Sequence, residues 1–167
     1  RSSLNGTGAS LRQAITVNAN GAQHDDEHVE IHHHHGHTYS DLVMNSACGG
    51  SSHFIGTGLL TIAEGANKTD ASQVFRNLLL SEKARAEAIP ELEVLADDVS
   101  AAHGAASAPI DSEQMHYLMS RGLNPEDAQS MIVSGFLNDA FSNLTNTTLI
   151  EEMRTRLTVH LECELKR

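Results

Sequence analysis

The histidines carry the most chemical content in this sequence: 11 in 167 residues, five of them between His32 and His37. Alternate residues of a strand share a face, so His32 and His34 would point one way and His33 and His35 the other. With His37 from the following turn, His32 and His34 make a three-imidazole candidate for zinc or iron. Asp25, Asp26, Glu27 and Glu30 add oxygen donors nearby. The plainer reading is a polar, partly exposed strand that takes up nickel or zinc only adventitiously. An affinity tag fits poorly, because the run is short, internal and crossed by an apolar pattern.

His103 is a second candidate ligand. It stands among small residues, Ser100 to Ala106, which leave room for something bulky to approach. Cys48 and Cys163 are the only thiols. Cluster ligation usually takes several thiolates, so two distant ones are weak evidence. Cys48, before Gly49-Gly50, is expected to be exposed, and Cys163 to pack on a last helix. Asp97-Asp98 reads as a turn that could hold a cation. No P-loop, nucleophile elbow or His-Glu-x-x-His motif is present, which argues against an enzyme.

Two kinds of element would position these residues. Up to about residue 108 the chain is rich in Gly, Ser, Thr and Asn, with short apolar runs and turn residues between them. This predicts strands over 1–108 with no βαβ layout, leaving a sandwich, a barrel or a β-helix. No short repeat selects among the three. From 109 to 167 the pattern is helical. Asp111 with Gln114 resembles a capping box, and Gly122 suits a helix end. Asn124-Pro125-Glu126-Asp127 is a strong second start, followed by Ala128, Met131, Ile132 and Phe136 on one face. A last helix is expected over about 148–164, on Leu149, Met153, Leu157 and Leu161.

Composition limits the partners. Lys plus Arg is 11 against 22 Asp plus Glu, a net charge of −11. That disfavours nucleic acid and anionic membranes and is compatible with a basic protein partner. Two cysteines suggest a reducing, cytoplasmic setting. No apolar run is long enough for a transmembrane helix, and no signal peptide is visible. The chain opens on Arg1 rather than Met, consistent with a fragment of a longer protein.

Several ordered motifs carry a resemblance. They are Lys68 to Ala71, Arg76 to Ser81, Pro90 to Val99, Ala102-His103-Gly104-Ala105, Asp111 to Gly122, and Asp127 to Val133 with Gly135-Phe136. Together they resemble the SufB/SufD family of iron–sulfur cluster assembly scaffolds, strongly over about 53–142 and more loosely over 1–52. The resemblance implies a mainly β fold: a right-handed parallel β-helix core followed by a C-terminal helical region. It implies a core over 1–108 and an ATPase-docking region over 109–167. It implies partners: a SufC-type ABC ATPase, a second SufB/SufD-like subunit in a homo- or heterodimer, and a sulfur donor system. The cluster would be transient, built at the subunit interface, with no permanently bound cofactor.

His103 matches the SufD histidine implicated at that interface. Ala84 or a neighbour stands where SufB has its cysteine, and Gly104 where SufB has a glutamate. Ala101 stands where SufD often has a cysteine. The chain is therefore similar to SufD at the site, and short single-subunit relatives are another home. The alternative is a metal-dependent enzyme built on His32, His34 and His37.

Overall fold

The computed structural model describes residues 1–164, with side chains through Leu161. Eight strands come first: β1 (Ser2–Leu4), β2 (Ser10–Ala19), β3 (His24–His33), β4 (Tyr39–Cys48), β5 (His53–Ile62), β6 (Asp70–Leu79), β7 (Arg85–Val94) and β8 (Ser100–Pro109). Odd strands form one sheet in the order β1-β3-β5-β7, and even strands a second in the order β2-β4-β6-β8. Every pairing is parallel. The chain thus winds as a parallel β-helix of four coils, each coil giving one strand to each sheet.

The register explains why no repeat is legible. Ser10 pairs with Tyr39, 29 residues on; Tyr39 pairs with Asp70, 31 on; Asp70 pairs with Ser100, 30 on. In the other sheet His53 pairs with Arg85, 32 on. Turns of unequal length absorb these differences, so no fixed period survives in the sequence. Side-chain identity does not repeat either, because the two sheets share one lumen and a large residue on one needs a small one opposite. Gly56 and Gly58 of β5 face that lumen where Phe54, Met44 and Phe75 fill it.

Three helical segments follow: α1 (Ser112–Ser120), α2 (Pro125–Asp139) and α3 (Thr147–Glu164), with a 3₁₀ turn at Ala140–Asn143 before α3. Asp111 caps α1, but it accepts from the Glu113 N–H at 2.8 Å and not through a box with Gln114. Asn124 caps α2 by accepting from Asp127 N at 2.8 Å, with Pro125 in the first turn. Gly122 takes φ 97°, where a Cβ would be strained.

The helices cover the outer face of the even-strand sheet. Val133, Leu137, Phe141, Leu157 and Leu161 bury against Ala47 and Leu78. Two amides pin the contact: Asn45 Nδ2 donates to Phe136 O at 2.8 Å, and Asn143 Nδ2 to Gln13 O at 3.1 Å. Leu149, expected on the packed face of α3, is 43% exposed. The α1 helix has no buried residue. Among the described residues no helix is long and apolar enough to cross a membrane.

Candidate functional site

His103 lies in the middle of β8, with Gln73 as its Cα partner on β6. Paired residues of adjacent parallel strands put their side chains on the same face. Gln73 is buried in the interior between Ala71 and Phe75, so His103 faces the lumen as well. It is nevertheless exposed, because among the described residues no coil stacks beyond β7 and β8. The lumen opens here, and its mouth is lined by small residues: Ala101 and Ala105 of β8 and, across from them, Ala88 of β7. An imidazole in this position has room around it and can reach a ligand from solvent.

Two buried amides form a polar floor under this mouth. Gln73 Nε2 donates to the Glu91 carbonyl at 2.8 Å, a strut from one sheet to the other below His103. Asn77 Nδ2 donates to Ser107 Oγ at 3.0 Å, while Ser46 Oγ donates to Asn77 Oδ1 at 2.7 Å. Buried amides need such partners to avoid a desolvation cost of about 1–3 kcal/mol each.

The histidine run is divided by the end of β3. The strand stops at His33, so His34 and His35 do not continue its two faces. His32 is on the outer face, its Nε2 3.0 Å from Glu30 Oε2, and its ring stacks on that of His34 with centroids 6.1 Å apart. His28 meets the other oxygen of Glu30 at 3.3 Å. The hydrogen bonds from His32 and then His28 hold the Glu30 carboxyl below its ordinary range. His37 sits in the turn with φ 56°. The structure brings His32 and His34 side by side but does not gather them with His37. No group of three His, Cys, Asp or Glu side chains among the described residues is arranged to hold a metal ion.

His33 has a role that the histidine spacing alone did not disclose. It is fully buried, with Nδ1 2.7 Å from Thr38 Oγ1 and Nε2 2.8 Å from Ser40 Oγ. Burial, and then the nearby His34, lower its pKa to about 4. The signal was the alternation Val29, Ile31, His33, which continues the buried row of β3.

Cys48 corrects an expectation of exposure: it is fully buried at the end of β4, and burial raises its thiol pKa. A thiol in that setting stays protonated and inert. The Cys163 side chain lies outside the described residues. Asp97 and Asp98 form the bend before β8, with Asp98 paired to Lys68. A cavity of about 180 Å³ between the end of β2 and the helices is lined by Asn18, Asn20, Glu126 and Ser130, and holds none of the candidate ligands.

Comparison with known proteins agrees with this geometry. The family model described as SUF system FeS cluster assembly, SufBD core domain, matches residues 1–136. The chain is 32% identical over 154 residues to the iron–sulfur cluster assembly protein SufD of Escherichia coli, covering 92% of this chain and 36% of that protein. It is 39% identical over 116 residues to SufD of Bacillus subtilis, covering 70% and 26%. It is 31% identical over 141 residues to a SufBD family protein of Synechocystis, covering 84% and 31%. The chain therefore spans roughly a third of the length of these relatives. A β-helix of four coils under a family match that runs from its first strand into α2 leads to one conclusion: the chain belongs to the SufBD core family of SUF-system iron–sulfur cluster assembly proteins.

Proposed function

We propose that this chain is part of a scaffold subunit of a SUF-type assembly complex and is not itself an enzyme. The iron–sulfur cluster is its product, built transiently at a subunit interface, and His103 offers an imidazole ligand there. The observation that carries this reading is the placement of His103: lumen-facing, exposed, and on the unpaired edge strand β8. Its neighbours Ala101 and Gly104 provide no second ligand, so a second SufB/SufD-like subunit completes the site. A sulfur donor system supplies sulfide. The free, buried Cys48 thiol is in keeping with a cytoplasmic, reducing setting.

Anaerobic reconstitution with iron and sulfide, with the partner subunits present, is expected to give visible absorbance that falls severalfold in His103→Ala. Equal cluster yield would remove His103 from the mechanism. The same preparation separates the alternative, a metal-dependent enzyme on His32, His34 and His37, whose support is the stacked ring pair. Tight stoichiometric zinc after chelation, with hydrolase turnover lost in His32→Ala, would favour that alternative.

A SufC-type ABC ATPase docks on the helical region in this reading. Met115 and Leu118 are half-buried, whereas Tyr117 (57% exposed) and Met131 (53%) present apolar surface to solvent. Exposed aromatic and Met side chains are favoured contact residues in protein interfaces. Tyr117→Asp and Met131→Asp should weaken ATPase binding by about tenfold or more without lowering the melting temperature. Unchanged affinity in both variants would move the dock elsewhere.

A further inference from the structure

The outer faces of the two sheets differ. The helices pack on β2 and β4 of the even-strand sheet, so among the described residues the outer face of the odd-strand sheet lies open. Its register sets up a repeated pattern. Asp26 of β3 pairs with Ile55 of β5, and Ile55 with Glu87 of β7. Four residues on, Glu30 pairs with Leu59, and Leu59 with Glu91. Each rung reads carboxylate, aliphatic, carboxylate. The alternate row of β5, with Phe54 and Leu60, is buried in the lumen, so both rungs point outward. Ile55 and Leu59 are half-buried, Ile89 between the rungs on β7 is 40% exposed, and none of the three belongs to a buried cluster. An aliphatic strip rimmed by charge is the usual makeup of an interaction surface.

We infer that this face is a docking surface for a basic amphipathic helix of another protein, laid along β5. The charge on it is one-sided. Arg85 is the only cation on the odd strands, against Asp26 and Glu30 on the outward row of β3 and Glu87, Glu91 and Glu93 on that of β7. Arg1 reaches Glu30 at 3.4 Å, but the other four carboxylates have no Lys or Arg partner among the described residues. His53 meets Glu87 at 2.8 Å and fixes it in place.

The dimensions suit a helix. Strands lie about 4.8 Å apart, so the acidic rows of β3 and β7 stand roughly 10 Å apart, the width of a helix with its side chains. Successive rungs are about 13 Å apart along β5, a little over two helical turns. An apolar stripe resting on Ile55 and Leu59 would then set Lys or Arg stems over both acidic rows. A second copy is the wrong occupant, because laying the face on itself sets carboxylates against carboxylates. Nucleic acid and anionic lipid are repelled for the same reason. The surface lies apart from His103 and does not depend on the scaffold reading.

The probe is a synthetic helical peptide of about 18 residues, with Leu on an i, i+4, i+7, i+11 stripe, Lys on both flanks and Ala on the back. Titration calorimetry against this chain is expected to give a Kd of roughly 10–100 μM. A peptide of the same composition with its Leu scattered around the helix should bind at least about tenfold more weakly. Leu59→Thr should weaken binding severalfold, and Glu87→Lys with Glu91→Lys by about tenfold or more. All three side chains lie on the outward rows, so the variants should keep the wild-type melting temperature. Glu151→Lys with Glu152→Lys on α3 makes the same change in net charge and should leave the affinity nearly unchanged. No binding, equal binding of the two peptides, or equal loss in the two charge-reversed pairs overturns the inference. So does self-association that Leu59→Thr abolishes, which would make the occupant a second copy.

Discussion

Gly58→Val is expected to lower the melting temperature by roughly 10 °C, which at about 2–4 °C per kcal/mol corresponds to about 3 kcal/mol. A Cβ at Gly58 would stand 2.5 Å from Phe75 Cζ and 2.6 Å from Gln73 Oε1. Neither neighbour can yield easily. Phe75 is 1% exposed and fills the lumen, and Gln73 is held by the Glu91 carbonyl. Overpacking of this kind costs typically 1–3 kcal/mol, and a branched side chain sits at or above the top of that range. Gly104→Ala on β8 is the control, because nothing lies near its Cβ and its melting temperature should barely move. Phe75→Leu should recover part of the loss when combined with Gly58→Val, since the two positions share one volume. Thermal melts of the four proteins decide it. A Gly58→Val variant as stable as Gly104→Ala would mean that the lumen is not filled as described.

The second large effect is on pH. Thr38 Oγ1 donates to His35 O at 3.0 Å, so the network assigns the His33 proton to Nδ1, donating to Thr38, with Ser40 donating to Nε2. That satisfies a neutral ring. A second proton would place a charge in the interior. The folded pKa is about 4 against an ordinary 6.5. Below pH 6.5 the unfolded chain binds a proton that the folded chain refuses. The contribution is therefore fully present above about pH 6.5 and is lost as pH falls to about 4. Its full span is about 3 kcal/mol. Measured by urea unfolding, His33→Gln should cost stability at pH 7, and the gap to wild type should shrink by about that amount at pH 4. A gap that stays constant from pH 7 to pH 4 would show that His33 does not titrate as its burial requires. Glu30 is common to both proteins, so its own titration cancels.

Much of this architecture is legible in the sequence, for reasons visible at particular residues. Helix starts are local events, so Asn124-Pro125 and Asp111 marked α2 and α1 correctly. The strand region announced itself by its Gly, Ser, Thr and Asn turn residues up to about residue 108, and the last strand, β8, ends at Pro109. The coil itself was not legible from periodicity. Its spacing of 29 to 32 residues is set by turns of unequal length, and it leaves no pattern in residue type. Only the family motifs pointed to it. Exposure was the other blind spot. Gly49-Gly50 beside Cys48 suggested a surface turn, yet the preceding residue closes the inward row of β4. The histidine run read as one unit because imidazoles look alike in a sequence. The end of β3 at His33 splits it into a buried ring, a carboxylate-bound ring and turn residues.

By itself the sequence determined the kind of elements, their caps, the acidic surface and, through long ordered motifs, the family. Those are properties of neighbouring residues or of composition, and they need no distant contact. Only the tertiary structure decided which residues share the lumen, because that depends on partners about thirty positions away, such as Gln73 beneath His103. It also decided that His103 lies at an open edge while His33 is sealed inside. Two histidines of the same intrinsic chemistry were separated by what stacks above them: a further coil over His33 and, among the described residues, no coil over His103.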